Sequence, residues 1–250
     1  MVIVMNGTLR YTIKPYDTIW MLAQVFNTTV DDIMDLNPGM DPRNLFVGQV
    51  ITIRPGLQSY PSYSEEMEDI GDIANIDPEE LVNYFRLLWE QHVEWTRMAV
   101  MGIVHNLPES DLITQRLLRN PMDFARALTT FYGEEAAQAF AQLFTAHLTI
   151  ATELVQAVIA GNNEAAADAD QRWHENADQI AELLGSLNPY WSVDDWSAML
   201  YEHLELLSSN VADMVAGNYQ ESINGYDEME MQALEMADMM AEGIAMQFPG

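Results

Sequence analysis

Residues 11–39 read YTIKPYDTIWMLAQVFNTTVDDIMDLNPG. Two turn-forming segments, KPYDT and NPG, bracket an apolar pattern with helical spacing. Just upstream, residues 9–13 alternate apolar and polar side chains, as a strand with one buried face does. Asp17 or Thr18 can cap the helix that follows, because the first amide groups of a helix have no partner within it. Ile19, Leu22, Ala23 and Phe26 fall on one face, and Asn27 tolerates the left-handed conformation that ends a helix. Thr28 and Thr29 start a second helix, with Asp31 and Asp32 in its first turn, where the helix dipole favours negative charge. Its apolar face is Val30, Ile33, Met34 and Leu36. Asn37-Pro38-Gly39 breaks it, and residues 47–53, VGQVITI, alternate again. The expected order is β-α-α-β within residues 9–55.

Charge divides the rest of the 250-residue chain. Residues 1–54 hold four basic side chains (Arg10, Lys14, Arg43, Arg54) and five acidic ones, a net of −1. The remaining 196 hold six arginines, no lysine and 34 acidic residues, a net of −28, which together give the formal −29. Between them PGLQSYPSYSEEMEDIGDIANIDPEE, rich in Pro, Ser, Gly and acid without a sustained period, reads as a linker over 56–77. So acidic a chain excludes nucleic acid and anionic membrane surfaces as partners, since both require a basic patch. The absence of cysteine excludes disulfides and thiolate metal sites. No segment approaches the roughly 20 apolar residues of a membrane-spanning helix, so no membrane insertion is expected. The start, MVIVMNGTLRYTIK, lacks a basic n-region and does not read as a secretion signal.

Three segments, YTIKPYDTI, MLAQVFNTTVDDIMDLNP and LFVGQVITIRP, follow the pattern of one family in order and spacing. Residues 9–55 resemble the LysM domain, a small module that binds N-acetylglucosamine-containing glycans. The resemblance implies a shallow groove between the loop after the first strand and the loop before the second. Tyr16, Asp17, Thr18 and Ile19 would line one side, and Asn37, Pro38, Gly39 and Met40 the other. Backbone N–H and C=O groups of the two loops would pair with the acetamido group, while Ile19 and Met40 cover its methyl and the ring face. Tyr16 stands where the family usually has glycine, and a side chain there restricts the turn. Asp17, Thr18 and Asn37 have a second reading as caps and turn formers only. The implied partner is peptidoglycan or a chitin-like glycan, bound weakly by one module and better through repetition or oligomers.

From residue 78 the period is helical. Expected helices span 78–104, 110–118, 121–129, 134–160, 164–184, 192–216 and 219–246, about five of them long, which predicts a mainly α chain with an acidic antiparallel bundle over 78–249. Residues 144–162 can be laid on 200–218 without a gap, with the histidine, a valine and a terminal Ala-Gly-Asn coinciding, which reads as a duplicated helical hairpin. On LWEQHVEWTR, RLLRNP, NPYW and QALEMADMM this unit resembles acidic all-helical proteins of spore-forming bacteria, a resemblance that implies no particular activity. The methionines of residues 229–246 suit an adaptable core or a docking surface.

His92, His147, His174 and His203 occur one per helix, most of them on or beside an apolar stripe. Converging, they would form a divalent metal site, with Glu90, Glu94 or Glu230 nearby. Neither Glu-x-x-His nor His-Glu-x-x-His occurs, and core histidines held by hydrogen bonds explain the pattern with fewer assumptions. No phosphate-binding glycine loop and no Gly-x-Ser-x-Gly elbow is present, so no catalytic residue and no cofactor is assigned. The expectation is a non-catalytic glycan-binding protein of the cell envelope or spore surface, otherwise of the cytoplasm, whose helical unit assembles or binds a protein partner. The alternative is a metal-binding or enzymatic bundle localised by its LysM domain.

Overall fold

The computed structural model describes residues 2–4, 8–13, 18–19, 22–23, 26, 28–42, 45–54 and 77–249. The chain forms two compact units, Met1–Asp69 and Ile70–Gly250.

The first unit is built on an antiparallel sheet in the order β1 (Val2–Val4), β2 (Thr8–Thr12), β3 (Val50–Ile53). β1 adds an edge strand to the expected βααβ order, pairing Ile3 with Leu9. β2 and β3 pair in the register Arg10–Thr52 and Tyr11–Ile51. β3 starts at Val50 instead of 47 because Gly48, at φ 89°, turns the chain. The ladder still extends beyond the strand, since Ile13 N–H donates to Gln49 O and Gly48 N–H to Ile13 O. Alternation places Ile51 and Ile53 inward and Val50 outward. They meet Ile13, Ile19, Leu22, Ala23 and Ile33 in one core. Leu22 N–H to Thr18 O and Phe26 N–H to Leu22 O are helical turns of the first expected helix, the rest of which lies outside the described residues. The second is α1 (Val30–Leu36), capped by Thr29, whose hydroxyl oxygen accepts from Asp32 N–H.

The second unit consists of α2 (Pro78–Val104), α3 (Ser110–Leu117), α4 (Asn120–Ile159), α5 (Asn163–Leu187), α6 (Val193–Ala216) and α7 (Tyr219–Gln247). Side-chain oxygens of Asp77, Asn162 and Ser192 accept from the first turns of α2, α5 and α6. α4 holds both helices expected over 121–129 and 134–160, joined at Gly133, whose φ of 79° and ψ of 171° no helix interior adopts. No described helix is long and apolar enough to cross a membrane.

Three helical hairpins result: α2 with α3 and the first half of α4, the second half of α4 with α5, and α6 with α7. α7 packs back on α2 and closes the bundle. The three hairpin turns share one geometry. Asn106, Gly161 and Gly217 are left-handed, at φ 51°, 65° and 79°. Each time the next residue's N–H reaches back five positions, Leu107 to Gly102 O, Asn162 to Ala157 O and Asn218 to Asp213 O, at 2.9, 3.0 and 2.9 Å. The opposite hairpin ends are tied together. Asn188 Nδ2 donates to Tyr132 Oη at 2.8 Å, that hydroxyl donates to Gln247 Oε1 at 3.1 Å, and Gln247 Nε2 donates to Leu187 O at 3.2 Å.

Candidate functional sites

In the first unit the two expected groove walls are held by different means. Ile19 is 1% exposed and belongs to the core, which leaves little of its side chain to cover a sugar ring. Asn37 is likewise committed. Its Nδ2 donates to Ile33 O and Thr52 O, both at 2.7 Å, and its Oδ1 accepts from Thr52 N–H at 2.8 Å. That side chain welds the end of α1 to β3, and its own carbonyl accepts from Met40 N–H. Met40 packs partly on the core. Thr18, Pro38 and Gly39 are exposed, with Gly39 at φ 87°, a conformation that side chains avoid. Tyr16 and Asp17 lie outside the described residues. Among the described residues of the two walls, what remains for a ligand is backbone and small side chains.

In the second unit three of the four expected metal ligands come together. His92 on α2, His147 on α4 and His203 on α6 are each 2% exposed. The rings of His92 and His203 have centroids 5.4 Å apart. His174 stands apart on α5, partly exposed, with Nδ1 2.9 Å from Asp170 O and its ring edge-on to Tyr201. Glu90 and Glu94 are exposed, two positions either side of His92 and so on the outer face of α2. Among the described residues no group of three or more His, Asp or Glu is placed to hold a metal ion.

The three buried histidines instead belong to a recurring hydrogen-bonded device. Asn176 Nδ2 donates to Leu143 O at 3.0 Å, which turns Oδ1 toward His147 Nδ1 at 2.9 Å. Gln232 Nε2 donates to Met199 O at 2.8 Å, and its Oε1 lies 3.0 Å from His203 Nδ1. Asn120 Nδ2 donates to Leu88 O at 3.0 Å, but here Asn120 Oδ1 and His92 Nδ1 are both buried without a hydrogen bond. In each case the carbonyl lies four residues before the histidine. An amide whose nitrogen is already given to a carbonyl presents only its oxygen, so the network assigns the Nδ1–H tautomer to His147 and His203. Their Nε2 atoms are then lone-pair acceptors. Burial lowers His147 to about 3 and His203 to about 4. Burial first, then the neighbouring His203 and His147, holds His92 well below the ordinary histidine value. All three are neutral at pH 7.

The three imidazoles line a small cavity of about 20 Å³ together with Thr96 and Trp173. A pocket of about 300 Å³ adjoins it between α4, α5 and α6, sharing Ala151, Val155, Trp173 and Leu207 as walls. Its walls are almost wholly apolar, apart from Asp170 and Ser208. Thr96 Oγ1 and Trp173 Nε1 are buried and make no hydrogen bond.

The strand pairing and the core fit the class that the sequence defines for the first unit: residues 11–54 are a LysM domain, matching that family over this range. The chain is similar to the Secreted LysM effector ELP2 of Colletotrichum higginsianum (strain IMI 349063), 42% identical over 50 residues, 20% of this chain and 28% of that protein. It is also similar to the Secreted LysM effector Blys4 of Beauveria bassiana (strain ARSEF 2860), 41% identical over 49 residues, 20% of this chain and 29% of that protein. The chain thus spans less than a third of the length of these curated relatives. No solved structure matches the chain significantly.

Proposed function

We propose that the chain is a non-catalytic glycan-binding protein whose LysM domain holds N-acetylglucosamine-containing polymer, chitin or peptidoglycan, and so tethers the helical unit to a cell envelope or spore surface. The observation that carries this reading is the match of residues 11–54 to the LysM domain, with Ile19 and Met40 both packed on one core. The near-neutral charge of residues 1–54 suits a sugar ligand, for which hydrogen bonds and apolar cover matter more than ion pairs. The acidic helical unit is the cargo of that tether.

Retention of the full chain on chitin beads and on insoluble peptidoglycan tests it. Retention should be competed by N-acetylglucosamine oligomers and not by glucose oligomers of equal length. Gly39→Val, which strains a backbone at φ 87°, should weaken retention. Failure of both matrices to retain the chain, or equal displacement by the two sugars, would sink the proposal.

A further inference from the structure

The interior of the helical unit carries polar groups that no hydrogen bond satisfies, beside a pocket larger than packing requires. Native interiors leave few such groups, and each calls for a partner. Trp173 Nε1–H is a buried donor without an acceptor, and Thr96 Oγ1 is a buried hydroxyl without a partner. His147 and His203 supply acceptors, because their Nδ1–H groups are committed to Asn176 and Gln232. The inner cavity of about 20 Å³ is large enough for one oxygen-sized group. The adjoining pocket of about 300 Å³ lies at the lower end of the range for small-molecule sites, and its apolar walls give water few partners.

We propose that this pocket is a binding site for a small uncharged apolar molecule bearing a hydroxyl group. Its apolar body lies between α4, α5 and α6, and its hydroxyl lies in the cavity among Thr96, His147, Trp173 and His203. A hydroxyl fits because it donates and accepts at once, giving a proton to an imidazole Nε2 and taking one from the indole N–H. A carboxylate only accepts, would face imidazole lone pairs, and would have to enter a unit whose 30 acidic residues and six arginines give a net charge of −24. An ammonium group only donates and leaves the indole N–H unpaired. A glycan carries too many hydroxyls for walls of alanine, valine and leucine, so this site is separate from that of the LysM domain.

Titration of the full chain with 1-octanol, octanoate and octylamine, followed by calorimetry at pH 7, tests the proposal. Octanol should bind saturably at one site and about tenfold more tightly than either charged analogue. Thr96→Val, which keeps shape and removes one polar group, should weaken octanol severalfold while the unfolding midpoint stays close to wild type. Val155→Trp should abolish binding by filling the pocket, and Ala212→Phe at the outer wall serves the same purpose if Val155→Trp does not fold. Absence of saturable octanol binding, equal binding of the three probes, or binding unchanged in the filled variant overturns it. So does one zinc ion per chain, taken up with exclusion of octanol and lost in His147→Gln.

Discussion

Asn176 faces His147 with its amide oxygen, 2.9 Å from Nδ1, because its nitrogen is bound to the carbonyl of Leu143 one turn before that histidine. The amide thereby fastens α5 to α4 and fixes the imidazole tautomer together. Asn176→Leu removes both bonds and leaves the buried His147 Nδ1–H unpaired, at about 1–3 kcal/mol, while the Leu143 carbonyl keeps its partner within the helix. Gln232→Leu should cost the same, since it breaks the equivalent pair. Asn120→Leu should cost less, because Asn120 makes only the bond to Leu88 O. Urea unfolding of the three variants checks this order, and an Asn120 variant as unstable as the other two would contradict it.

The neutral histidines make stability depend on pH in a stated direction. Burial lowers His147 to about 3 and His203 to about 4 from an ordinary 6.5. Between those values the unfolded chain binds more protons than the folded one, so stability rises with pH through this window. Their contribution is complete above pH 6.5 and is lost as pH falls toward 4, at about 1.4 kcal/mol per pH unit for each proton taken up. Relief of repulsion among the many carboxylates works in the opposite sense, so the comparison must be between proteins of equal surface charge. A His147→Leu, His203→Leu variant should show a shallower loss of stability from pH 6.5 to 4.5 than wild type. Urea midpoints across that range measure it, and parallel curves would refute the assignment.

How far this organisation shows in the sequence depends on which residue fills each role. The LysM domain is legible because its two loops, its helix caps and its alternating strands leave local marks. β1 is not legible, because Val2–Val4 is a three-residue apolar run without the alternation that marks a strand with one buried face. The second and third hairpins align by eye because both turn at Gly-Asn and carry a histidine at the same place. The first differs from them in its side chains. Its left-handed turn residue is Asn106 where the others have Gly161 and Gly217, yet each follows its histidine by 14 residues (92 to 106, 147 to 161, 203 to 217). Its second helix is interrupted between α3 and α4, and in the third hairpin the amide is glutamine. His174 misled the metal reading for a simple reason. It sits one residue after buried Trp173, and on a helix adjacent positions point about 100° apart.

Asn37 is predicted to decide the integrity of the first unit alone. It is the joint between α1 and β3, with three side-chain hydrogen bonds to Ile33 and Thr52. Asn37→Ala removes all three and leaves the Thr52 N–H without an acceptor, a loss of about 2–4 kcal/mol for a partly buried set. Amide exchange at Thr52 should accelerate strongly, and retention on chitin should fall with it. The urea midpoint of the helical unit should not move, because none of these bonds involves residues beyond Thr52. A slow Thr52 amide in the variant would show that the strand is held by other means.

Two glycines on α7 should respond to the same substitution with opposite sign. At Gly243 a β-carbon would overlap the indole of Trp191, which lies directly on the helix backbone and donates from Nε1 to Met239 O at 3.1 Å. Gly243→Ala must displace that ring and break its bond, so it should destabilise by about 2–3 kcal/mol through overpacking and an unpaired donor. At Gly225 the nearest atom to an added β-carbon is Asn210 Nδ2 at 3.5 Å, an ordinary contact. There the methyl costs nothing in the folded state and lowers the entropy of the unfolded chain, so Gly225→Ala should stabilise by about 0.5–1 kcal/mol. Thermal unfolding of the two single variants checks both signs at once, and near-UV circular dichroism should register the displaced Trp191 in the Gly243 variant alone. If Gly243→Ala left both the midpoint and that signal unchanged, Trp191 would not be seated on α7 as described.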